Sequence, residues 1–363
     1  MSESRRMPGT LVSIQILRGL AALLVVIHHA ITFFNDKYAA NFVEFDLGAI
    51  GVDIFFVISG FIMFWTTRTH DGSWQDTVQF WKKRAVRVMP LYWLITLSLA
   101  AVLLFFPSLF KSMQLSIVWL LKSLFFIPYL NEVNLPHPMV DPGWTLNYEM
   151  FFYLVIGACL SCGRRHATMM CVAMLASAVL AGVWLNVDDA VFATYTSPLL
   201  LEFCAGMICG ALYQRFGIYN PGVGLSLLIL VTCWLGLAQP GFPGSDLHRA
   251  ALWGGASVVI VLSVLSLEGL IVSAKYLTLP KLLGDASYSI YLVHTLFFLA
   301  FGKLAGFAGG GLLFMPELFV VWAVIFGVIT YRLIEKPLGR VTNRMIMRQS
   351  YSFAATARSG EAS

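Results

Sequence analysis

The chain has 363 residues, of which 58% are hydrophobic and only 12% are charged. Because soluble domains usually carry about 25% charged residues, this composition excludes an ordinary soluble protein and indicates an integral membrane protein. The net charge of +5 comes from basic segments between apolar runs, so it indicates cytoplasmic loops rather than nucleic-acid binding.

Ten apolar runs have the length and hydropathy of membrane-spanning helices. They cover residues 11–32, 47–66, 88–106, 144–162, 167–185, 194–213, 222–239, 250–269, 287–305 and 312–333. Arg5 and Arg6 precede the first run, and Lys336 and Arg340 follow the last, so the positive-inside rule makes both termini cytoplasmic. We therefore expect an all-α integral membrane protein, a bundle of about ten transmembrane helices.

One further apolar run, 113–130, leaves the number of helices open. It carries Lys122 at its middle, which disfavours full insertion, so we interpret it as interfacial or re-entrant. If it does cross the membrane, the bundle has eleven helices. In either case we expect one transmembrane domain over residues 1–340, followed by a basic cytoplasmic tail over 341–363.

The first predicted helix carries ionisable groups near both ends. Arg18 and His29 are eleven residues apart, which is three turns plus about 20°, so both lie on one face about 16 Å apart along the axis. His28 points about 80° away from that face. Ionisable residues inside a membrane usually face a bundle interior, which makes Arg18 and His29 candidate site residues. The alternative is a plain anchor whose charged groups reach the two membrane surfaces.

A basic segment precedes the third run. Arg84 and Arg87 are neighbours on one helix face and lie beside Lys82 and Lys83. The lysines fit the positive-inside signal, whereas guanidinium groups bind phosphate oxygens in bidentate fashion, so the two arginines indicate a phosphate site. We expect Pro90 to break or kink the helix just after them.

Two carboxylates lie near the outer side in this topology. Glu149 is about one turn inside the membrane, at a depth similar to that of His29, so the two suit a general base with an orienting carboxylate. Asp53, at the outer end of the second run, is either an interfacial residue or a partner for a histidine.

The late helices add further ionisable groups. Tyr288, Tyr291 and His294 share roughly one helix face, and His294 fits a hydrogen-bonded interior residue better than a catalyst. Glu335 and Lys336 are most simply a charge pair at a helix end.

These segments together resemble the acyltransferase 3 family of membrane enzymes that O-acylate carbohydrates. The resemblance rests on LRGLAALLVVIHH (17–29), GVDIFFVISGFIM (51–63), WKKRAVRVMPLYW (81–93), GWTLNYEMFFY (143–153), SYSIYLVH (287–294) and EKP (335–337). Their order and spacing cover nearly the whole chain. The GWTLNYEMFFY variant is most similar to the exopolysaccharide acetyltransferases of the family.

The resemblance also implies roles for particular residues. Arg18 and His29 match an arginine and a histidine eleven residues apart in the first helix. Arg84 and Arg87 match an RxxR acyl-CoA site, and Glu149 matches a glutamate of the fifth helix. Catalysis is then expected from His29, Glu149 and Arg18, and donor binding from Arg84, Arg87 and Arg18.

The implied reaction uses acetyl-CoA from the cytoplasm as co-substrate, without a metal. Its acceptor is a nascent or lipid-linked polysaccharide on the outer side of a bacterial cytoplasmic (inner) membrane, and His29 is a general base or a transient acyl carrier. Expected partners are acetyl-CoA, the carbohydrate and membrane lipids, with no nucleic acid, and the oligomeric state is left open. The alternatives are an acyltransferase acting on a lipid or secondary metabolite, and a transporter with inverted repeats and paired broken helices.

Overall fold

The computed structural model describes residues 11–38, 40, 42–70, 72–107, 115–131, 135–185, 187–217, 220–238, 243–274, 276–307 and 315–344. Within these ranges the chain forms helices and loops and no β-strand. The α-helices are α1 (Val12–Tyr38), α2 (Ile50–Thr67), α3 (Trp74–Phe105), α4 (Ile117–Leu124), α5 (Trp144–Ser161), α6 (Arg164–Leu185), α7 (Ala190–Tyr195), α8 (Leu200–Phe216), α9 (Pro221–Ala238), α10 (Asp246–Arg249), α11 (Gly255–Ser266), α12 (Glu268–Ser273), α13 (Thr278–Asp285), α14 (Ser287–Phe307) and α15 (Pro316–Thr330). A π-helical segment, Ala250–Gly254, joins α10 to α11, and another, Tyr331–Glu335, extends α15 toward Arg344.

The predicted spans correspond to helices, although not all of these helices are equally suited to cross a membrane. Each of the ten runs overlaps one of the helices above. Seven helical segments in the described ranges are long and apolar enough to span, or eight if α13 and α14 together count as one. The all-helical architecture is thus confirmed, whereas ten crossings and two cytoplasmic termini stay predictions. Most of the predicted tail, from 345 onward, lies outside the described residues.

In the ambiguous run 113–130, the described residues from 115 onward form one short helix, α4. Ser116 caps it by accepting a hydrogen bond from the backbone nitrogen of Trp119 (3.4 Å), and Lys122 lies in its last turn. Its eight residues extend about 12 Å, against about 30 Å for a hydrocarbon core. This helix is therefore too short to supply an eleventh crossing.

Helix α3 is longer than the sequence predicted. It begins at Trp74 rather than 88 because Ser73 caps its N-terminus, accepting a hydrogen bond from the backbone nitrogen of Asp76 (3.1 Å). The predicted break at Pro90 is wrong, since the helix continues to Phe105. A proline removes one intrahelical hydrogen bond, which a packed membrane helix tolerates. The basic segment is consequently part of one continuous helix.

Helices α2 and α8 cross in very close contact at two glycines. A Cβ atom on Gly60 would lie 2.1 Å from the carbonyl oxygen of Phe203, and one on Gly206 would lie 2.0 Å from that of Val57. Neither position admits a side chain without separating the helices. Small residues at the interface of two membrane helices allow this kind of close packing.

Helix α1 lies among α2, α11, α13, α14 and α15 and is fixed at its start by a residue distant in sequence. The carboxylate of Glu268 accepts hydrogen bonds from the backbone nitrogens of Val12 (2.9 Å) and Ser13 (2.7 Å). Those N–H groups have no partner within the helix, and a carboxylate there also interacts favourably with the helix dipole. The helix that carries Arg18 and His29 is thereby held in place.

Helices α13 and α14 form one bent pair, with 68° between them. A transporter of the kind weighed above needs paired breaks in two corresponding halves. The described helices contain a single pair of this kind.

Candidate functional site

An internal cavity of about 280 Å³ lies between α1, α2, α3, α5 and α14. Most of its wall is apolar, but a set of polar side chains from all five helices lines it as well. These are Gln15, Arg18, Ser59, Thr66, Arg84, Arg87, Thr145, Glu149, Tyr153, Ser287, Tyr288 and Tyr291. The structure thus brings Arg18, Arg84 and Arg87 together at one cavity. Glu149 lines the same cavity, although the sequence predicted it at the depth of His29, which is not among the lining residues.

The three arginines give this cavity an excess of positive charge. Among the described residues none of them lies within 4.0 Å of a carboxylate oxygen. Arg84 donates from Nη2 to Thr66 Oγ1 (3.3 Å), while its Nε–H is buried without a hydrogen-bond partner in the described part of the chain. A buried donor without an acceptor is costly. An anion in the cavity would satisfy this N–H group and balance the charge.

Glu149 is the one carboxylate of the cavity wall, and other side chains hold it. It accepts hydrogen bonds from Ser59 Oγ (3.3 Å) and from the Tyr153 hydroxyl. The predicted orienting contact from Glu149 to His29 is therefore not formed between these described side chains. Glu149 instead connects α2 with α5 and partly offsets the charge of the arginines.

His29 contacts a different residue, His294 of α14. Nδ1 of His29 lies 3.2 Å from Nε2 of His294 and 3.0 Å from the carbonyl oxygen of Val25. Nδ1 of His294 lies 2.7 Å from the carbonyl oxygen of Tyr291, and His294 is fully buried. The interpretation of His294 as a hydrogen-bonded interior residue fits this position, but its partner is the candidate catalytic histidine.

These contacts assign the protons on both rings. A carbonyl oxygen only accepts, so Nδ1 of His294 carries its proton and Nε2 of the neutral ring is an acceptor. The proton between the rings is then on Nδ1 of His29, which agrees with the nearby carbonyl of Val25. Nε2 of His29 is consequently unprotonated in the neutral pair and can take up a proton.

Tyr291 connects the cavity with the histidine pair. Its side chain lines the cavity, and its carbonyl oxygen accepts the hydrogen bond from His294. Its hydroxyl lies 3.1 Å from Thr145 Oγ1, which itself donates to the carbonyl of Pro142 (3.0 Å), so Tyr291 donates to Thr145. This hydrogen bond joins α14 to α5 at the cavity wall.

The loop before α5 adds a carboxylate that the sequence reasoning missed. Asp141 lies 2.6 Å from Nδ1 of His137, whose ring stacks on Trp144. Burial, the largest single influence, raises the pKa of Asp141, but the hydrogen bond from His137 and the charges of the neighbouring histidines together outweigh it, so this pKa lies below its ordinary value. The carboxylate also interacts electrostatically with His29 and His294. The prolines of this loop were noted in the sequence, but nothing in them indicated which histidines it approaches.

Asp53 has a partner that neither sequence interpretation foresaw. It is fully buried and accepts from Arg249 at two points, Nε to Oδ1 at 3.0 Å and Nη2 to Oδ2 at 2.9 Å. Arg249 is itself buried. Glu202 of α8 lies close enough to interact electrostatically with both. Asp53 is therefore the partner of an arginine rather than of a histidine.

Two smaller predictions have different outcomes. The charge pair predicted for Glu335 and Lys336 is wrong: Glu335 accepts from Ser289, and the Lys336 ammonium lies 5.9 Å from the ring centroid of Tyr331. His28 points away from the His294 contact, as predicted, and Nδ1 of its ring lies 3.0 Å from the carbonyl oxygen of Phe45.

Comparisons with known proteins agree over nearly the whole chain. A family model described as an acyltransferase domain matches residues 11–332. The chain is 38% identical to the exopolysaccharide production protein ExoZ of Rhizobium meliloti (strain 1021), over 82% of this chain and 91% of that protein. It is 27% identical to the acyltransferase MdmB of Streptomyces mycarofaciens, over 93% and 95%. It is 26% identical to the peptidoglycan O-acetyltransferase OatA of Listeria monocytogenes, over 78% of this chain and 48% of that protein. No solved structure matches significantly.

Proposed function

Since the chain belongs to the acyltransferase 3 family, we propose that it moves an acetyl group from acetyl-CoA to a hydroxyl of an exopolysaccharide or lipid-linked sugar. Its family makes it an O-acyltransferase rather than a transporter. The acetyl donor and the carbohydrate acceptor are our proposal, supported by the site and by the names of its relatives.

The observation that carries the proposal is the charge of the internal cavity. Arg18, Arg84 and Arg87 face one carboxylate, Glu149, which leaves an excess of two positive charges. The diphosphate of coenzyme A supplies that amount of negative charge in a form that guanidinium groups bind well. The apolar remainder of the wall suits the uncharged pantetheine arm.

The two ends of α1 suggest how the reaction is divided across the membrane. Arg18 and His29 are separated by about 16 Å along the helix. The positive-inside rule puts the arginine end in the cytoplasm, where acetyl-CoA is found, and the histidine end toward the outer side. Donor phosphates then stay near the inner surface while the acyl thioester reaches toward the outer half.

His29 is the base in the proposed reaction. Its Nε2 takes the proton of the sugar hydroxyl, and the oxygen attacks the carbonyl carbon of the thioester. The carbon–sulfur bond then breaks, the sulfur leaves as a thiolate, and the proton on His29 passes to it to give coenzyme A. The hydrogen bond to His294 keeps His29 in the tautomer whose Nε2 is unprotonated. The carboxylate of Asp141 stabilises the positive charge that develops on the His29 ring.

The same geometry allows a covalent route. Nε2 of His29 attacks the carbonyl carbon of the thioester, and the carbon–sulfur bond breaks to release the thiolate of coenzyme A. The acetyl-imidazolium then transfers its acetyl group to the sugar oxygen, whose proton passes to the thiolate, and the neutral ring is restored. Because the cavity wall includes Tyr291 but not His29, either route requires Tyr291 to move aside or the acyl group to pass beside it.

The test is transfer by the purified chain in lipid nanodiscs. Radiolabelled acetyl-CoA is supplied with undecaprenyl-linked oligosaccharides, and in parallel with lipids and small hydroxylated metabolites. We expect label in the oligosaccharide, and its loss in His29→Ala. Label only in a lipid or metabolite would contradict the acceptor. No binding of coenzyme A and no transfer to any acceptor would contradict the proposed function.

A further inference from the structure

A second cleft, of about 270 Å³, lies between α3 and the extension of α15. Its wall combines the basic segment of α3 with the residues that follow the π-helical turn. The lining residues are Lys83, Val86, Arg87, Pro90, Leu91, Tyr331, Glu335, Lys336, Leu338, Gly339, Arg340 and Asn343. None of these except Arg87 has a role in the reaction described above.

The cleft has an excess of positive charge. Lys83, Arg87, Lys336 and Arg340 face one carboxylate, Glu335, which already accepts a hydrogen bond from Ser289. No ion pair within 4.0 Å joins any of the four cations to a carboxylate among the residues that the structure describes. All four are solvent-exposed, so an anion arriving from the aqueous phase reaches them. Such a wall favours a ligand with at least two negative charges.

The remainder of the wall suits a flat, partly apolar group. Tyr331, Pro90 and Leu338 supply ring and aliphatic surface. A Cβ atom added at Gly339 would meet nothing within 4 Å, so this part of the wall is open. A purine base can stack on an aromatic ring or pack on a proline ring in such a space.

Arg87 lines both this cleft and the internal cavity. A ligand with a diphosphate at Arg87 can therefore extend a thin arm into the cavity and a phosphorylated nucleoside into the cleft. Coenzyme A has this order of groups: pantetheine, diphosphate, and adenosine with a phosphate on its 3′ oxygen. The pantetheine arm would then occupy the cavity, the diphosphate would lie at Arg87, and the phosphorylated adenosine would occupy the cleft.

We propose that the cleft between α3 and the α15 extension binds the 3′-phosphoadenosine end of the acyl-CoA donor. Lys83, Lys336 and Arg340 contact the 3′-phosphate, and Arg87 contacts the diphosphate. This proposal rests on the proposed function and adds a specificity element: the enzyme distinguishes coenzyme A from the same molecule without its 3′-phosphate.

The experiment compares coenzyme A with 3′-dephospho-coenzyme A by calorimetry, using the full chain in nanodiscs of neutral lipid. The native chain should bind coenzyme A about tenfold more tightly, because one charge-assisted contact is worth at least that much. Lys336→Gln and Arg340→Gln should lose most of this preference by weakening coenzyme A alone. Arg332→Gln and Arg344→Gln, basic residues of the same helix outside the cleft, should retain it.

Each other outcome overturns one identifiable claim. If the native chain binds both ligands equally, or if the cleft variants weaken the binding of both equally, the cleft does not bind the 3′-phosphate. The cavity would remain the proposed donor site. No binding of either ligand would reject the proposed function itself.

An anionic lipid headgroup carries the same phosphate chemistry and is tested separately. Nanodiscs with phosphatidylglycerol should leave the preference for the 3′-phosphate in place. If phosphatidylglycerol abolishes that preference and Lys336→Gln loses bound lipid instead, the cleft is a lipid site and the proposal is wrong.

Discussion

Two groups of charged side chains, one buried and one lining a cavity, differ in how their charge is balanced. In the first, Asp53 and Arg249 neutralise each other through hydrogen bonds of 3.0 and 2.9 Å, with Asp53 fully buried. In the second, Arg18, Arg84 and Arg87 share a cavity with one lining carboxylate. In the first group, a carboxylate and a guanidinium group are joined by hydrogen bonds. In the second group, the positive charges outnumber the negative ones.

This difference separates a structural cluster from a binding site. A buried ion pair with both partners in the protein is complete, and it becomes costly when one partner is removed. Positive charges in a cavity that has too few carboxylates lower the stability of the folded protein. An anionic ligand that binds there restores this stability. Replacements in the first group should thus change stability, and those in the second should change donor binding.

The largest effect is expected when the closed pair is broken. Arg249→Ala leaves the carboxylate of Asp53 buried without its partner, which should cost about 3–5 kcal/mol of folding free energy. The measurement is membrane abundance together with thermal unfolding of the purified chain in detergent. Activity per folded molecule should change much less than abundance.

The control replaces both partners by apolar residues. Asp53→Leu combined with Arg249→Met removes both charges, so most of the lost stability should return. A double variant as unstable as Arg249→Ala would contradict a role limited to this pair and would indicate that Arg249 also stabilises the neighbouring Glu202. A double variant that is stable but inactive would indicate that Asp53 or Arg249 takes part in the reaction.

The next effect concerns the reacting histidine rather than stability. His29→Ala should lower the transfer rate about 10²–10⁴-fold, the usual contribution of a general base, with little change in the unfolding temperature. Initial rates with labelled acetyl-CoA provide the measurement. A His29→Ala variant that keeps most of its activity would move the base to another residue.

The sequence predicted which segments form helices better than which side chains touch. Helix positions and the neighbouring pair Arg84 and Arg87 follow from periods within one segment, and the structure places both arginines at one cavity. Asp53 and Arg249 are 196 positions apart, and His29 and His294 are 265 apart. A hydropathy pattern defines helices, but it does not specify which helices are neighbours.

Local boundaries failed for a different reason. The apolar run that predicts α3 begins at 88, whereas the helix itself begins at Trp74, because its first turns are polar and Ser73 caps them. Pro90 predicts a break or a kink because its lost hydrogen bond is visible in the sequence, and the structure contradicts the break, since the helix continues to Phe105.

Variants of His294 test whether the orientation of the His29 ring contributes to the rate separately from its action as a base. His294→Leu removes the acceptor for the Nδ1–H of His29, so kcat should fall about tenfold while KM for acetyl-CoA stays constant. His294→Gln should recover much of the rate, because an amide can both accept from His29 and donate to the carbonyl of Tyr291. Equal losses in both variants would indicate a packing role instead.

The cavity arginines should show the opposite kinetic pattern. Arg84→Gln and Arg87→Gln each remove a charged donor from the donor site, so the affinity for acetyl-CoA should fall at least about tenfold per replacement. The unfolding temperature should stay constant or rise, because like charges are being removed. Lys82→Gln, on an exposed neighbour outside both cavities, is the matched control and should leave the affinity unchanged.

The smallest effect is expected at His28, and it tests the helix orientation on which the whole site depends. Its Nδ1 contacts the carbonyl oxygen of Phe45, not His294, so His28→Ala should remove one hydrogen bond worth about 0.5–1.5 kcal/mol of stability. Transfer per folded molecule should stay within about twofold of the native rate, because this ring does not face the reacting group. The same initial-rate assay, normalised to folded protein, measures it beside His29→Ala. If His28→Ala is inactive and His29→Ala is active, α1 is rotated relative to the described contacts, and the shared face of Arg18 and His29 no longer supports a common site.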